Sequence, residues 1–310
     1  MSGPVVSVII PTFNAGKYIT QTIESVLAQS LAGIEVLIID DESSDNTVAI
    51  VESFGGPVRL IQQNNAGVCV ARNRGITEAT GEFICFMDHD DYWFPEKLEL
   101  QVNAMRNGAN VGVVYTEFIR WNEDGSGRFP EPATTRPNMS TAEIDQDYSG
   151  WIYHKLLIDC WVLTSTSMIR RAVFDRCGVF DTSLPFSEDW DLWLRISRHF
   201  QFLKLRQATT LYRQHPTQGS RVARPIDYRT RLLAQAERQW GLASQDGQSV
   251  TRKAFNEQMY RYHMSYAMGC VRARMRTKAA HAFIAGWWRR PTSPKPLIYI
   301  AAMTLGWRPA

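Results

Sequence analysis

Strand-like and helix-like segments alternate along the first hundred residues, and this alternation limits the fold more than any other feature of the sequence. Apolar runs of strand length occur at residues 5–10 ("VVSVII"), 35–40 ("EVLIID"), 58–62 ("VRLIQ") and 82–87 ("EFICFM"). Between them, Ile19, Ile23, Val26 and Leu27 recur at helical spacing, and a further helix is predicted from about Val68 to Glu78, after a loop that contains glycine. Short connections between such segments favour parallel strands covered by helices on both faces. The sequence therefore predicts an α/β domain with a mostly parallel sheet.

Polar side chains follow three of these strands at the point where each strand ends. "PTFN" (11–14) follows the first strand, "DDESSD" (40–45) the second and "DHDD" (88–91) the fourth. The carboxyl ends of parallel strands lie along one edge of a sheet, and ligands of such sheets bind beyond that edge. One nucleotide-sized site would therefore account for all three clusters.

The carboxylates of "DHDD" need a stabilising group between them, because like charges at this spacing destabilise one another. Asp88 and Asp90 form a D-x-D pair after a buried strand, and such a pair can hold Mg²⁺ or Mn²⁺ together with the phosphates of a substrate. Two other interpretations stay open. The cluster, and Asp91 above all, could cap the helix that follows, and the first aspartate could be the nucleophile of a phosphatase. His89, at the centre of the pair, has no assigned role.

A second acidic cluster lies in "SEDWDLWLR" (187–195). If a helix begins at Glu188, Trp190 and Trp193 pack inward and Asp189 lies on the first turn. The helix dipole would keep a carboxylate in that position ionised, and an ionised carboxylate can take a proton from an incoming hydroxyl. The alternative is that these carboxylates only cap the helix, which we favour for Asp191.

The charge of the chain is distributed unevenly. Residues 221–310 hold 16 Lys and Arg against 4 Asp and Glu, although the net charge of the whole chain is only +3. This asymmetry predicts two domains, residues 1–224 and a basic, mainly helical extension at residues 225–310. The following residues of the extension are predicted to share one helical face: Val271, Met275, Phe283 and Trp287. Opposite them lie Arg272, Arg274, Arg276 and Lys278.

Basic helices with aromatic residues suit the surface of an anionic membrane, so peripheral membrane contact is one interpretation of the extension. The other is packing on the acidic first domain or on a second subunit of a homo-oligomer. No recognised motif supports nucleic-acid binding, and we expect none. The N-terminal residues lack a signal-peptide pattern and no apolar run reaches about 18 residues, which predicts a cytoplasmic protein, at most at the inner face of the membrane.

Six segments, taken in order, resemble family 2 glycosyltransferases of the GT-A fold. They are "VSVIIPTFN", "VLIIDDESSDNT", "NNAGVCVARNRGI", "GEFICFMDHDD", "STSMIRRAVFDRCGVFD" and "SEDWDLWLRIS". The resemblance covers about residues 5–220. It implies a metal-dependent, inverting transfer of a sugar from a nucleotide-sugar donor, usually a UDP- or dTDP-sugar, to the hydroxyl of a glycan or lipid-linked acceptor. The setting it implies is bacterial surface polysaccharide or glycan synthesis.

The resemblance also implies roles for individual residues. For the nucleotide, it places Pro11, Thr12 and Asn14 in the pocket, Asp40 at the base, Arg72 at the base and diphosphate, and Asp88 at the ribose. Asp90 would bind Mn²⁺ or Mg²⁺, His215 would be a further metal or phosphate contact, and Asp189 would be the general base. One residue departs from the family pattern, because Glu42 stands where glycine is common after the paired aspartates of the second strand. This puts the shape of that loop in doubt.

Two functions of other classes also fit parts of the sequence. A catalytically silent protein that binds nucleotide sugars would share the fold and the binding residues. A sugar-1-phosphate nucleotidyltransferase would share the D-x-D pair, but such enzymes carry a basic, glycine-rich loop after the first strand, and "PTFNAGKYI" offers only Lys17.

Overall fold

The structure, a computed structural model, describes residues 3–108, 110–137, 139, 142–216, 218 and 226–305. It divides the chain into two compact units, residues 1–152 with 160–215 and residues 153–159 with 216–310. The domain boundary predicted between residues 224 and 225 lies outside the described residues and stays a prediction.

The first unit is built on a mixed sheet. Its strands are β1 (Val6–Thr12), β2 (Ile34–Asp40), β3 (Val58–Gln62), β4 (Phe83–Phe86), β5 (Tyr92–Trp93), β6 (Val111–Asn122), β7 (Ser167–Arg170) and β8 (Gln201–Gln214). In the described part of the chain their order across the sheet is β3-β2-β1-β4-β7-β6-β8-β5. The first four strands of this order are parallel, whereas β7 runs antiparallel to β4 and β6. The predicted α/β class with a mostly parallel sheet is confirmed.

Helices cover this sheet. They are α1 (Ile19–Leu27), α2 (Thr47–Phe54), α3 (Val68–Glu78), α4 (Lys97–Arg106), α5 (Pro132–Thr135), α7 (Ala172–Cys177) and α8 (Glu188–Ile196), while α6 (Tyr153–Leu156) belongs to the second unit. All seven residues of β1 are buried, because helices pack on both faces of the sheet. The bounds predicted for α3 agree with the structure. Within the polar stretch 122–149, the described residues form α5 and a 3₁₀ turn at Gln146–Tyr148.

Gly75 allows α3 to approach the sheet closely. A Cβ atom on this residue would lie 2.3 Å from Cγ2 of Ile9 in β1, which is far inside van der Waals contact. Arg72 lies about one turn earlier on the same helix and is also buried. The "ARNRG" segment therefore combines a packing residue with a buried cation near the sheet edge.

The second unit is helical. After α6 it contains α9 (Tyr228–Trp240), α10 (Arg252–Arg272), α11 (Arg276–Arg289) and α12 (Lys295–Thr304). The single helical face predicted from Val271 to Trp287 is wrong, because the chain turns between α10 and α11, where Arg274 has a φ of +61°. Val271 and Phe283 nevertheless enter one buried cluster, each from its own helix. None of the described helices combines the length and apolar character needed to cross a bilayer.

Candidate functional site

The ends of β1 and β2 bring the first two polar clusters together. Thr12 and Asp40 are partners in the parallel register, and the Thr12 hydroxyl donates to Oδ1 of Asp40 over 3.3 Å. Asp40 is buried, and its carboxylate also accepts hydrogen bonds from the backbone N–H and the hydroxyl of Ser43. These bonds fix the loop that follows β2. The contact of Asp40 with a nucleotide base stays a prediction.

Two residues of these loops have left-handed backbone conformations. Asn14 has a φ of +49°, and its Oδ1 accepts the backbone N–H of Ser44 at 2.8 Å. Glu42 has a φ of +68°, and its Oε2 accepts the backbone N–H of Asn65 at 3.0 Å. Glycine adopts such a φ without steric cost. Glu42 therefore has the type of backbone conformation that glycine favours at this position, and its hydrogen bond helps to hold it there.

The "DHDD" segment continues from β4 beside the end of β1. His89 places Nδ1 3.4 Å from the carbonyl oxygen of Pro11. Asp90 is buried and its Oδ2 lies 2.7 Å from Nε2 of His215, a residue 125 positions later in the chain. Burial alone would raise the pKa of the Asp90 carboxyl, but the hydrogen bond with His215, the charges of His89 and His215 and a backbone hydrogen bond together outweigh it, and the pKa is lowered. Asp90 is therefore held as a carboxylate.

Asp91 does not cap a helix, which corrects that interpretation of the cluster. The short strand β5 follows it directly, and the next helix, α4, begins only at Lys97. Its side chain is fully buried, and Oδ1 accepts the backbone N–H of Arg213 over 3.1 Å. Asp91 thus joins the end of β4 to β8.

Arg72 connects the "DHDD" segment to the second acidic cluster. Its guanidinium donates to Oδ1 of Asp88 at 2.9 Å and to Oε1 of Glu188 at 2.8 Å. Burial disfavours the charge on Arg72, but these two carboxylates together with Asp189 outweigh it and raise the pKa. Phe180 packs its ring 5.2 Å from the guanidinium carbon. The ion pairs place Asp88 and the start of α8 on either side of one cation.

Asp189 lies on the first turn of α8, and the predicted start of this helix at Glu188 is confirmed. Its Oδ1 accepts the backbone N–H of Trp190 at 2.7 Å, and the Thr164 hydroxyl lies 3.5 Å from Oδ2. The expectation that the helix dipole dominates its ionisation is wrong. Burial raises the pKa of Asp189 to about 7, and the adjacent Glu188 carboxylate adds to the increase more than Arg72 offsets it. A carboxyl with this pKa can accept or release a proton near neutral pH.

A family model described as "Glycosyl transferase family 2" matches residues 7–177, more than half of the chain. The chain belongs to glycosyl transferase family 2. The match includes the ends of β1, β2 and β4 and the Arg72 segment, so the resemblance that these segments suggested is confirmed. Asp189 and His215 lie beyond the matched residues.

Similar proteins agree with this membership. An uncharacterised glycosyltransferase of Rickettsia typhi is 31% identical over 197 residues, which are 63% of this chain and 59% of that protein. The Escherichia coli protein WfgD, named a UDP-Glc:α-D-GlcNAc-diphosphoundecaprenol β-1,3-glucosyltransferase, is 34% identical over 201 residues, covering 63% of this chain and 71% of that one. This family 2 chain thus spans less than two thirds of the length of the Rickettsia relative.

A solved structure extends the likeness of the fold. S. aureus TarS, residues 1–349 in complex with UDP, superposes with a TM-score of 0.64 at 23% identity, over 92% of this chain and 81% of that one. At this identity the likeness concerns the fold. It agrees with the GT-A fold expected for a family 2 chain.

The donor atoms of Asp90 and His215 fit a divalent cation. Carboxylate oxygen and imidazole nitrogen both bind Mn²⁺, and ions of this type commonly take one or two protein ligands, with substrate phosphates and water completing the shell. The described residues contain no group of three or more His, Cys, Asp and Glu arranged around one metal position. A cation held by Asp90 and His215 would therefore need oxygen atoms from a bound diphosphate.

Arg213 is the residue that the sequence interpretation missed. Its buried guanidinium donates to the backbone carbonyl of Asp90 and, over 2.7 Å, to Oε1 of Gln21. Three rings surround it, those of Tyr18, Trp121 and Phe129, with their centroids 4.1–4.5 Å from the guanidinium carbon. The sequence offered one signal for Arg213. In an extended chain residues 213 and 215 point to the same side, and His215 was already predicted to be a site residue.

Ser165 is a second residue that the sequence interpretation missed. It lies in a 3₁₀ turn at Thr164–Thr166, where its hydroxyl accepts the backbone N–H of Asp88 at 3.1 Å and its carbonyl accepts the Trp93 indole N–H at 2.8 Å. The preceding residue, Thr164, is the one that contacts Asp189. One turn of three residues therefore touches both acidic clusters, and nothing in its composition distinguishes it from an ordinary polar loop.

Proposed function

We propose that this family 2 chain is an inverting glycosyltransferase that moves a sugar from a nucleotide-diphosphate sugar to an acceptor hydroxyl. The observation that carries the proposal is the position of Asp189. Its carboxyl has a pKa of about 7 and lies next to Glu188, which Arg72 joins to Asp88 at the sheet edge. A proton acceptor is thus connected by one network of ion pairs to the edge where α/β sheets bind nucleotides.

In the proposed reaction, Asp189 takes the proton of the acceptor hydroxyl as its oxygen attacks the anomeric carbon, and the bond from that carbon to the diphosphate breaks. A single displacement of this type inverts the configuration at the anomeric carbon. Acid–base assistance of this kind is typically worth about 10²- to 10⁴-fold in rate. Arg72 contributes a permanent positive charge near the position expected for the diphosphate. A divalent cation held by Asp90 and His215 would neutralise the charge that the leaving group gains.

The proposed donor is a UDP- or dTDP-sugar, and Pro11, Thr12, Asn14, Asp40 and Asp88 are proposed to form its nucleotide pocket. The UDP in the TarS complex and the UDP-glucose in the name of WfgD support this choice. The acceptor is proposed to be a glycan or a lipid-linked sugar, since the name of WfgD specifies a diphosphoundecaprenol acceptor. We propose that the reaction belongs to the synthesis of a bacterial polysaccharide or glycan.

The base assignment is tested by Asp189→Asn. We expect transfer to fall by at least about 10²-fold, the lower range for acid–base assistance, while the affinity for the nucleotide is retained. Asp191→Asn is the matched control on the same helix, because Asp191 is paired with Arg195 instead of with the network around Arg72. An equal loss of nucleotide affinity in Asp189→Asn, or an equal loss of transfer in Asp191→Asn, would remove Asp189 from the role of base.

The donor and the metal are tested together by a thermal-shift panel of nucleotide sugars with and without Mn²⁺. Stabilisation by one donor, enhanced by Mn²⁺, is the expected result, since a ligand that binds the native state raises the melting temperature. The donor identified in this way is then incubated with lipid-linked acceptors and with water. Binding without any turnover would favour a catalytically silent nucleotide-sugar-binding protein instead.

A further inference from the structure

Exposed apolar side chains are concentrated on α11 and α12. Five of the ten large hydrophobic side chains that are exposed in the described residues lie between residues 284 and 305. They are Ile284, Trp288, Leu297, Ile298 and Leu305. Trp288 is 70% exposed and Ile298 58% exposed. Such a concentration on one small region marks an interaction surface more often than isolated exposed residues do.

Helical spacing places these side chains on defined faces. Ile284 and Trp288 are four residues apart on α11, so they share a face. Ile298 lies on α12, and Leu305 is the C-cap residue of that helix. The other side of α11 is packed within the unit: Phe283 is fully buried, and its ring lies 5.5 Å from that of Tyr299. The exposed face is therefore additional to the core that holds the two helices together.

Positive charge is concentrated in the same stretch of the chain. Residues 271–305 contain seven Lys and Arg and no Asp or Glu. Arg272, Arg274 and Arg276 are exposed, and none of them forms an ion pair with a carboxylate of the described chain. Further along, Arg289 and Arg290 do have carboxylate partners, Glu237 and Glu257. The unpaired arginines leave a positive field at the turn between α10 and α11.

We propose that residues 272–305, called the basic hairpin below, dock on the surface of an anionic lipid bilayer. A segment that combines exposed Trp, Leu and Ile with unpaired cations has the composition of segments that lie in the membrane interface, with the apolar face among the acyl chains and the cations at the headgroups. Tryptophan is favoured at that depth. A nucleic acid would use the cations but would leave the aliphatic side chains in water. The anionic bilayer is the one occupant that engages both parts of the surface.

The proposal goes beyond the transfer reaction, and its test needs neither donor nor acceptor. The full chain is sedimented with vesicles of phosphatidylcholine alone and with vesicles that contain about one third phosphatidylglycerol. Strong binding only to the anionic vesicles, reversed by salt, is expected, because surface electrostatics are screened at high ionic strength. Equal binding to both vesicles, or none to either, would overturn the proposal without affecting the assignment of Asp189.

Two variants separate the contributions of charge and apolar surface. The triple variant Arg272→Gln, Arg274→Gln, Arg276→Gln should weaken binding to anionic vesicles by about a hundredfold, at roughly fivefold per cation. Trp288→Ser combined with Ile298→Ser should weaken it further at any salt concentration. The matched control is Arg106→Gln, Arg120→Gln, Arg128→Gln, which removes the same charge from exposed positions of the first unit.

The control triple variant should keep the vesicle affinity of the unmodified chain. If it loses as much affinity as the hairpin triple variant, net charge explains the binding and the basic hairpin has no specific role. A second copy of the chain is the competing occupant of the apolar face. Sedimentation velocity without lipid distinguishes it, because a dimer that the Trp288→Ser, Ile298→Ser variant dissociates would overturn the membrane assignment.

Discussion

The electrostatic coupling between Glu188 and Asp189 leads to a prediction that can be tested through the pH dependence of transfer. Burial raises the pKa of Asp189 to about 7, and the like charge of Glu188 makes the next largest contribution to the increase. Replacing Glu188 with Gln removes that charge and also releases Arg72 from one of its two carboxylate partners. Both effects favour the ionised form of Asp189. The variant Glu188→Gln should therefore lower the pKa of the proposed base.

The size of the effect follows from ordinary titration. With a pKa of about 7, about a tenth of the Asp189 carboxyl is ionised at pH 6 and about nine tenths at pH 8. Only the ionised form can accept the proton, so kcat/KM should rise about tenfold per pH unit below the midpoint and level off above it. A like charge on a neighbouring group is worth on the order of 1 pH unit. The midpoint in Glu188→Gln should thus fall to about pH 6.

The assay is kcat/KM for transfer at saturating acceptor from pH 5 to pH 9, measured for the unmodified chain, for Glu188→Gln and for Glu52→Gln. Glu52 is an exposed carboxylate on α2 and serves as the control for a general change in charge. The absolute rate of Glu188→Gln can fall because Arg72 loses a partner, so the variants are compared by the pH midpoint, which is read from the shape of each profile and not from its height. A flat profile below pH 8 in the unmodified chain, or a midpoint that Glu188→Gln leaves in place, would refute the reasoning.

Three further predictions concern other parts of the first unit. Asp90→Ala should abolish the gain in donor affinity that Mn²⁺ provides, measured by calorimetric titration of the donor with and without the ion; an unchanged gain would reject Asp90 as a ligand. Arg213→Lys keeps the positive charge but loses the planar guanidinium that donates to both the Asp90 carbonyl and Gln21. KM for the donor should therefore rise about tenfold while the pH midpoint of transfer stays fixed. A change in kcat alone would argue against a positioning role. Lys97 is fully buried, and burial lowers its pKa to about 8, so the free energy of unfolding should increase by about 2–3 kcal/mol between pH 7 and pH 10. Denaturant unfolding of Lys97→Met should lack that increase, and an identical pH dependence in the variant would show that another group titrates.

The direction of the predicted pH dependence follows from the protonation state of Lys97 that the folded chain favours. Burial disfavours the ammonium, and the described partners of Nζ, Gln101 and the carbonyl of Thr166, are neutral. The unfolded chain binds the proton more tightly than the native chain, so folding is penalised at pH values below 8. The penalty disappears as the pH rises through 8 towards the ordinary pKa of lysine, which is 10.5.

The fold of the first four strands could be predicted because local sequence determines it. Strands buried on both faces are continuous apolar runs, and β1 has this pattern along its whole length. The edge rule then placed "PTFN", "DDESSD" and "DHDD" together without any knowledge of side-chain contacts. The start of α3 followed from the glycine-bearing loop before it, in which Gly67 is the N-cap residue.

Features that depend on distant residues could not be predicted in the same way. Arg213 acts through a carbonyl more than a hundred residues earlier, and the rings around it come from three separate segments. The interruption between α10 and α11 was also missed, because the periodicity of the apolar residues continues across the turn. For Asp189 the dipole argument used only the local helix, whereas burial against the rest of the unit determines its pKa.

The "DHDD" segment is tolerated because its three aspartates do not share one electrostatic environment. Asp88 is paired with Arg72, and Asp90 is held ionised by His215. Burial and the two neighbouring carboxylates raise the pKa of Asp91 well above its ordinary value, so it can remain neutral where a third negative charge would be costly. The segment thus divides its aspartates among separate partners, and Asp91, whose buried carboxyl has a raised pKa, fastens the loop to β8. Repulsion among the three aspartates is therefore relieved by protein groups, and the cation proposed at Asp90 and His215 would serve the transfer reaction.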